Sequence, residues 1–248
     1  MMRGERTKLR LFLRFFFDLQ YKIYTLNGGL FLSFLRKKGV VVGEGSGFFG
    51  VPIIDLTRPY LIEIGKNCVF SADVTLLTHG YDFCVLREKY GEVFLGSSGK
   101  IVVEDNVFVG ARTVIMKGTR IGKNSIIGAG SIVTHNIPAN SVAAGNPCKV
   151  IMTLDQYFEK RKSLYIEESK AYALEIYRKT GRIPRKEDFL DELPLFLDRN
   201  EKLDLLDQGQ LGPTIAKFRE STPKYASFTD FLIDAGIPVK KIKSQEKI

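Results

Sequence analysis

The chain has 248 residues, with 37 lysines and arginines against 28 aspartates and glutamates, so its formal net charge is +9. Hydrophobic residues make up 44% and charged residues 26% of the sequence, which excludes wholesale disorder and a polytopic membrane protein. The positive charge favours an anionic partner: a phosphorylated cofactor, a nucleic acid or a membrane surface. Three cysteines and two histidines provide neither a disulfide framework nor three imidazoles for a zinc site, and such sparse cysteine favours a reducing cytoplasm.

Residues 7–38 form the most apolar long stretch outside the predicted core. Charged residues recur every four positions, at Arg10, Arg14, Asp18 and Lys22. This spacing excludes a spanning helix and predicts an amphipathic helix, broken at residues 27–29 and followed by a shorter apolar piece. Two interpretations stay open: packing against the domain or a partner subunit, and peripheral docking on the anionic inner face of the cell membrane.

An internal six-residue period dominates the middle of the chain. Residues 103–138 divide into the blocks VEDNVF, VGARTV, IMKGTR, IGKNSI, IGAGSI and VTHNIP. The first position of every block is Val or Ile, the fifth is mostly small or β-branched, and Gly and Asn take positions that suit positive φ. A period of six fits neither an α-helix nor simple strand alternation, but it is typical of parallel β-helices. We predict that the first residue of each block points into the core and that the fifth packs near a corner.

Two segments break this phase. Residues 54–63 contain more residues than one repeat needs, and residues 76–102 are not a multiple of six. The second break predicts a loop at about 80–100 that leaves the coil after His79 and returns near Ile101. Long loops on a rigid scaffold often carry function.

The hydrophobic spacing becomes helical from Leu154 onward. Thr180 and Gly181, followed by Pro184, end the first predicted helix. Short helix candidates follow at 184–196, 212–221 and 226–238, and a charged tail closes the chain at 240–248.

Residues 121–151 read IGKNSIIGAGSIVTHNIPANSVAAGNPCKVI and resemble the C-terminal part of the hexapeptide acyltransferases, above all the branch of maltose, galactoside and other sugar O-acetyltransferases. The upstream VTLLTHGYDF and KIVVEDNVFVGART strengthen the resemblance, which covers about 40–153. It implies a mainly β protein, a left-handed parallel β-helix of hexapeptide repeats. It also implies a homotrimer with acetyl-CoA in a groove between neighbouring subunits. Outside the β-helix domain at 40–153, we expect an N-terminal amphipathic helical segment at 1–39 and a C-terminal α-helical appendage at 154–248.

His79 is the candidate catalytic residue. In the family a histidine at this place takes the proton from the acceptor hydroxyl, and imidazole suits that task because it titrates near neutral pH. A base needs a third group to fix its tautomer, and Asp82, three residues on, is our choice. Three other carboxylates could reach the ring through folding: Glu63, Asp73 and Glu88. Asp55 falls roughly where sugar acetyltransferases carry an acceptor-contacting asparagine.

The resemblance also implies a set of cofactor contacts. Small residues let the pantetheine arm run along the backbone, and a lysine near the end of the repeat meets a phosphate as a point charge. The positions that match the family's motifs are Ala111, Ala129, Thr134, His135 and Lys149. No metal is expected.

The sequence therefore predicts an acetyl-CoA-dependent O-acetyltransferase that acts on a sugar hydroxyl by direct transfer, in the assembly of surface polysaccharide or lipopolysaccharide. Three alternatives stay open: N-acetylation of a nucleotide-linked amino sugar, antibiotic acetylation and a non-enzymatic β-helix scaffold. Nucleic-acid binding would rest on charge alone, without a basic–aromatic recognition motif, and we expect no nucleic-acid partner. We expect a cytoplasmic protein, with contact at the inner membrane face depending on residues 7–38.

Overall fold

The computed structural model describes residues 27–91, 95–199 and 215–239, with no side-chain description at 215–217. It divides into two units, Met1–Phe158 and Glu159–Ile248, which are described separately. Residues 7–26, which contain the predicted amphipathic helix, lie outside the described residues, as does the charged tail at 240–248. Within the described ranges, no helix combines the length and the apolar character that crossing a bilayer requires.

The first unit is a parallel β-helix. Its strands are short because a turn follows every few residues, and all of them except β7, β8 and β16 pair in parallel with the strand one coil away. The strands are β1 (Val41–Val42), β2 (Gly47–Phe48), β3 (Ile53–Ile54), β4 (Ile62–Ile64), β5 (Val69–Phe70), β6 (Thr75–Leu77), β7 (His79–Gly80), β8 (Ser97–Ser98), β9 (Ile101–Val103), β10 (Val107–Val109), β11 (Val114–Met116), β12 (Arg120–Ile121), β13 (Ser125–Ile127), β14 (Ile132–Val133), β15 (Ser141–Ala144) and β16 (Lys149–Thr153).

Three sheets form the sides of the coil. The first sheet has the order β1-β4-β9-β12, the second β2-β5-β10-β13-β15-β16, and the third β3-β6-β11-β14. β7 and β8 form a separate antiparallel pair. This pair, together with helix α2 (Phe83–Tyr90), lies between β6 and β9, in the segment that interrupts the six-residue phase.

The predicted inward positions are confirmed by burial. The first residue of every block is buried, at Val103, Val109, Ile115, Ile121, Ile127 and Val133. The fifth residue is also buried, at Val107, Thr113, Thr119, Ser125, Ser131 and Ile137. The fourth residue of the first five blocks has positive φ, at Asn106, Arg112, Gly118, Asn124 and Gly130. Each block is therefore one side of the coil, and its left-handed residue makes the corner.

The second sheet is closed at both ends, by a helix at its first strand and by an antiparallel strand at its last. Helix α1 (Gly28–Lys38) begins at Asn27, whose side chain accepts hydrogen bonds from the backbone of Gly29 and Leu30, and it ends at Gly39 with φ of 108°. Phe31 and Leu35 of this helix are buried in the β-helix core. For residues 28–38 the structure therefore supports packing against the domain. At the other end β16 pairs antiparallel with β15.

The second unit is helical and has its own core. Helix α3 (Leu154–Thr180) leads into it and stops at Gly181, which has φ of 69°. The helix predicted at 184–196 is wrong, because this segment forms two 3₁₀ turns, Lys186–Asp188 and Leu193–Leu195. Helices α4 (Ile215–Glu220) and α5 (Phe228–Asp234) lie within the other two candidates, and a third 3₁₀ turn, Pro59–Leu61, belongs to the first unit.

Aromatic side chains pack against one another in the core of the second unit. The rings of Phe189, Phe196 and Phe231 lie 5.0 to 6.0 Å apart between centroids. The Tyr225 hydroxyl donates to Asp234 Oδ2 at 2.7 Å, and burial is the main cause that raises the pKa of Tyr225 to about 12.

Candidate active site

The carboxyl edge of the third sheet brings together residues from both breaks in the repeat. Ile54 of β3 pairs with Leu76 of β6 in parallel register, so the residues that follow these strands lie side by side. Asp55 follows β3, and its backbone nitrogen donates to Leu76 O at 3.0 Å. His79 lies three residues beyond Leu76, at the start of β7.

Asp55 and His79 form a buried pair. Asp55 Oδ2 contacts His79 Nδ1, and the two side chains are 6% and 12% exposed. With Nδ1 facing a carboxylate, the ring carries its proton there and leaves the lone pair on Nε2. The imidazole is thus held in one tautomer while part of it stays accessible.

Hydrogen bonds surround the Asp55 carboxylate. Thr57 donates to Oδ1 through its hydroxyl at 2.6 Å and its backbone nitrogen at 3.1 Å. Thr78 donates to Oδ2 through its backbone nitrogen at 3.2 Å and through its hydroxyl. Burial, the largest single influence, raises the pKa of Asp55, but the bonds from Thr57, Thr78 and His79 together outweigh it and hold the pKa below its ordinary value. Asp55 is therefore ionised at neutral pH.

Asp82 is not the partner of His79 in this structure. Its Oδ1 accepts a hydrogen bond from the Ser97 hydroxyl at 3.3 Å, and in the described part of the chain it forms no hydrogen bond or ion pair with His79. The carboxylate that contacts the ring is Asp55, for which the sequence predicts a contact with the acceptor. Tyr81, which the sequence interpretation missed, stands edge-on to His79 with 4.8 Å between ring centroids, and it is 56% exposed.

The predicted cofactor residues lie at more than one edge. Ala111 and Ala129 stack one coil apart at the amino edge of the third sheet, where Gly130 N donates to Ala111 O at 2.8 Å. Thr134 and His135 follow β14 at the carboxyl edge, and Thr134 Oγ1 lies 2.8 Å from His135 Nδ1.

Lys149 begins β16 and is exposed. Within the described ranges its ammonium has no hydrogen-bond or ion-pair partner. Lys149 pairs with Ala144 of β15, and a Cβ added to Gly128, the residue before Ala129, would lie 2.9 Å from the Ala144 Cβ. An unpaired cation and a corner of small residues are the features that a ligand with a phosphate and a narrow amide-bearing arm needs.

The corner beside Ala129 is tightly stacked. A Cβ on Gly110 would overlap the Ala129 backbone nitrogen and lie 2.8 Å from its Cα. This stacking leaves backbone and small side chains at the surface.

The chain is similar in sequence to known acetyltransferases. The family model "Hexapeptide repeat of succinyl-transferase" matches residues 100–135. A putative acetyltransferase of Bacillus subtilis (strain 168), YvoF, is 30% identical over 151 residues, which is 59% of this chain and 80% of that protein. The chain belongs to the hexapeptide-repeat acetyltransferase family.

Other relatives of this chain bear names from the sugar branch. The galactoside O-acetyltransferase of Escherichia coli (strain K12) is 39% identical over 126 residues, which is 51% of this chain and 59% of that enzyme. The match thus spans little more than half of the galactoside enzyme. A solved galactoside acetyltransferase in complex with coenzyme A is 26% identical and covers 62% of this chain and 84% of that chain, with a TM-score of 0.42. At that score the likeness adds nothing to the sequence relationship.

Proposed function

We propose that this protein is an acetyl-CoA-dependent O-acetyltransferase that moves an acetyl group to a sugar hydroxyl, in the assembly of surface polysaccharide or lipopolysaccharide. The observation that carries the proposal is the contact between Asp55 and His79 at the carboxyl edge of the third sheet. A sugar hydroxyl has a pKa far above 7, so its oxygen needs a positioned base to attack a thioester.

His79 is the base in this proposal. Its Nε2 takes the proton of the acceptor hydroxyl, while Nδ1–H stays bonded to Asp55. The ionised Asp55 stabilises the imidazolium that forms, and its saturated hydrogen bonds keep it from turning away from the ring. The proton held at Nε2 is then available to the leaving thiolate.

When bound, acetyl-CoA supplies an acetyl thioester whose carbonyl carbon accepts the hydroxyl oxygen and whose sulfur leaves as a thiolate. Ala111 and Ala129 would border the pantetheine arm, Thr134 and His135 would contact the cofactor, and Lys149 would meet a phosphate group. These assignments follow the family's motifs and suit the free ammonium of Lys149.

Direct transfer, with no acetylated protein intermediate, fits the state of the buried cysteines. Burial is the largest influence on Cys68 and Cys148 and raises the pKa of both thiols, so neither is a ready nucleophile.

Two family properties belong to the same proposal. We infer that the coil is left-handed and that the protein is a homotrimer with sites between subunits. Sedimentation equilibrium tests the second point, and a monomer that binds acetyl-CoA fully would contradict it.

The deciding experiment is a calorimetric titration of wild type and His79→Ala with CoA and acetyl-CoA. We expect both proteins to bind, because His79 acts in the chemical step, and only wild type to acetylate sugars in an acceptor screen. The screen includes amino sugars, so transfer to nitrogen alone would favour the N-acetyltransferase alternative. Wild type that binds neither ligand would overturn the proposal and favour the scaffold.

Lys149→Gln completes this titration. We expect the Kd for CoA to rise by about tenfold, since one phosphate contact is lost, which is about 1.4 kcal/mol. Dephospho-CoA lacks the 3′-phosphate, and a smaller effect with it would assign Lys149 to that group. Lys66→Gln, an exposed lysine at another corner, is the control.

A further inference from the structure

Three polar side chains meet beside the candidate base. Asp82 follows β7, Ser97 lies in β8, and Lys117 follows β11 in the next coil. The Ser97 hydroxyl donates to Asp82 Oδ1 at 3.3 Å and accepts a hydrogen bond from Lys117 Nζ. We call Asp82, Ser97 and Lys117 the latch. It joins the two arms of the inserted segment to the β-helix.

Gly80 is the residue around which the latch closes. A Cβ at this position would overlap Asp82 Oδ1 and would lie 3.1 Å from Lys117 Nζ and 3.3 Å from Ser97 Oγ. A side chain at this position would therefore displace at least the Asp82 carboxylate from its place beside Ser97. Because Gly80 directly follows His79, the latch lies one residue from the imidazole.

The arm that carries His79 has few other attachments. β7 and β8 pair over only two residues each, His79 with Ser98 and Gly80 with Ser97. Helix α2, which follows β7, has no buried residue. Thr78, just before His79, is fully buried, but the part of the segment beyond His79 is not held by packing, so polar contacts fix its position.

Lys117 is the anchor of the latch. It comes directly after β11, whose Ile115 is fully buried, and β11 pairs with β6 through Met116 and Leu77. Within the described ranges no carboxylate lies within 4 Å of its ammonium, so its bond to Ser97 is its specific contact. The Ser97 hydroxyl bonds to both this cation and Asp82, so it links Lys117 to the arm that follows β7.

We propose that Lys117, acting through Ser97 and Asp82, is a positioning residue that holds the β7 arm so that His79 Nδ1 stays on Asp55. The inference rests on the proposed function, because it takes His79 as the base. Asp55 fixes the ring from one side and the latch fixes the backbone from the other. Misplacing a catalytic group by about 1 Å can lower a rate by about a hundredfold.

The test compares Ser97→Ala and Lys117→Met with the conservative Ser97→Thr and Lys117→Arg. The control is Lys123→Met, which removes an exposed lysine at a different corner. We expect kcat to fall about ten- to a hundredfold in the first pair, with the KM for acetyl-CoA unchanged. Lys117→Arg and Ser97→Thr should recover most of the loss, because each keeps the hydrogen-bonding group.

A second readout does not depend on turnover. The chain has only two histidines, so ¹⁵N spectra of imidazole-labelled full-length protein contain two rings, which a His135→Gln spectrum assigns. We expect Lys117→Met and Ser97→Ala to weaken the Nδ1–H signature of His79 and to leave the His135 signals in place. Ser97→Ala removes a single oxygen, so it keeps the test open if Lys117→Met does not fold.

Two results would contradict the proposed positioning role of the latch. One is an unchanged kcat and an unchanged His79 spectrum in both variants. The other is a KM increase confined to anionic acceptors, which would make Lys117 a substrate contact. If wild type transfers no acetyl group to any acceptor, the proposed function fails, and the spectra alone then decide whether the latch positions the ring.

Discussion

His79 Nδ1 contacts Asp55 Oδ2 across neighbouring coils, although 24 residues separate them in the chain. The β-helix produces this contact through parallel register, since Ile54 pairs with Leu76 and both strands end at the same edge. Asp55 lies in the first break of the six-residue phase, at 54–63, and His79 lies in the second, at 76–102. The residues of the candidate site therefore lie in the two segments that depart from the regular repeat.

Asp55→Asn should lower kcat for acetyl transfer by about 10²- to 10⁴-fold, because an amide neither fixes the Nδ1–H tautomer nor stabilises the imidazolium. The KM for acetyl-CoA should stay nearly constant. Steady-state kinetics measure both values. Asp73→Asn is the matched control, since Asp73 is an exposed corner carboxylate whose φ of 58° asparagine tolerates. Equal losses in the two variants would contradict the catalytic pairing.

The Asp55 carboxylate should also make folding stability depend on pH. Its pKa in the folded protein lies below the ordinary value of 3.8, so its hydrogen bonds stabilise the fold fully above that pH. This contribution is lost as the pH falls through the lowered pKa. The free energy of unfolding of wild type should exceed that of Asp55→Asn by about 1–3 kcal/mol at neutral pH.

The gap between these two proteins should narrow below pH 3.8. Urea unfolding at several pH values from about 6 to about 2 measures it, and the difference cancels the carboxylates that both proteins share. A gap that widens in acid would show that the pKa of Asp55 is raised, not lowered.

Gly110→Ala should destabilise the β-helix by about 1–3 kcal/mol, because the added Cβ meets the Ala129 backbone in a close-packed corner. Gly47→Ala is the matched control, since its Cβ would meet nothing within 4 Å. Thermal unfolding compares the two variants. Ala129 also borders the proposed cofactor groove, so Gly110→Ala should weaken CoA binding while Gly47→Ala does not. Equal unfolding temperatures would rule out the tight corner.

Phe31→Ala should destabilise the first unit by about 3–5 kcal/mol, because Phe31 is 1% exposed and its ring lies 5.8 Å from that of Phe48. Its neighbour Leu30 is 56% exposed, so Leu30→Ala should change the free energy of unfolding by less than about 0.5 kcal/mol. Denaturant titration separates the two. Similar effects would mean that helix α1 does not cover the core.

The repeat could be predicted from the sequence because one physical constraint acts on every block. A residue such as Ile121 must fill the coil and one such as Asn124 must turn its corner, so both types recur at fixed positions. The partner of His79 could not be predicted in this way. The extra residues at 54–63 hide the register, and only the pairing of Ile54 with Leu76 reveals that Asp55 lies beside the ring. Two breaks that begin at equivalent strand ends are the signal that could have found it.

The C-terminal segment shows a different limit. Residues 184–196 have helical spacing, but Pro194 lacks a backbone N–H and interrupts a continuous helix. Packing of Phe189 and Phe196 among other aromatic rings then selects two short turns. Local periodicity cannot anticipate a tertiary choice of this kind.

The antiparallel direction of β16 affects how two copies of the protein could associate end to end. A stack of parallel strands could in principle accept the first coil of another molecule as its next layer and grow into a fibre. Here β16 runs against β15, and helix α1 buries Phe31 and Leu35 at the opposite end. A second molecule that docks end to end along the second sheet meets a strand of the wrong direction or a helix. The second sheet therefore presents no parallel strand edge at either end onto which the first coil of another molecule could be added in register.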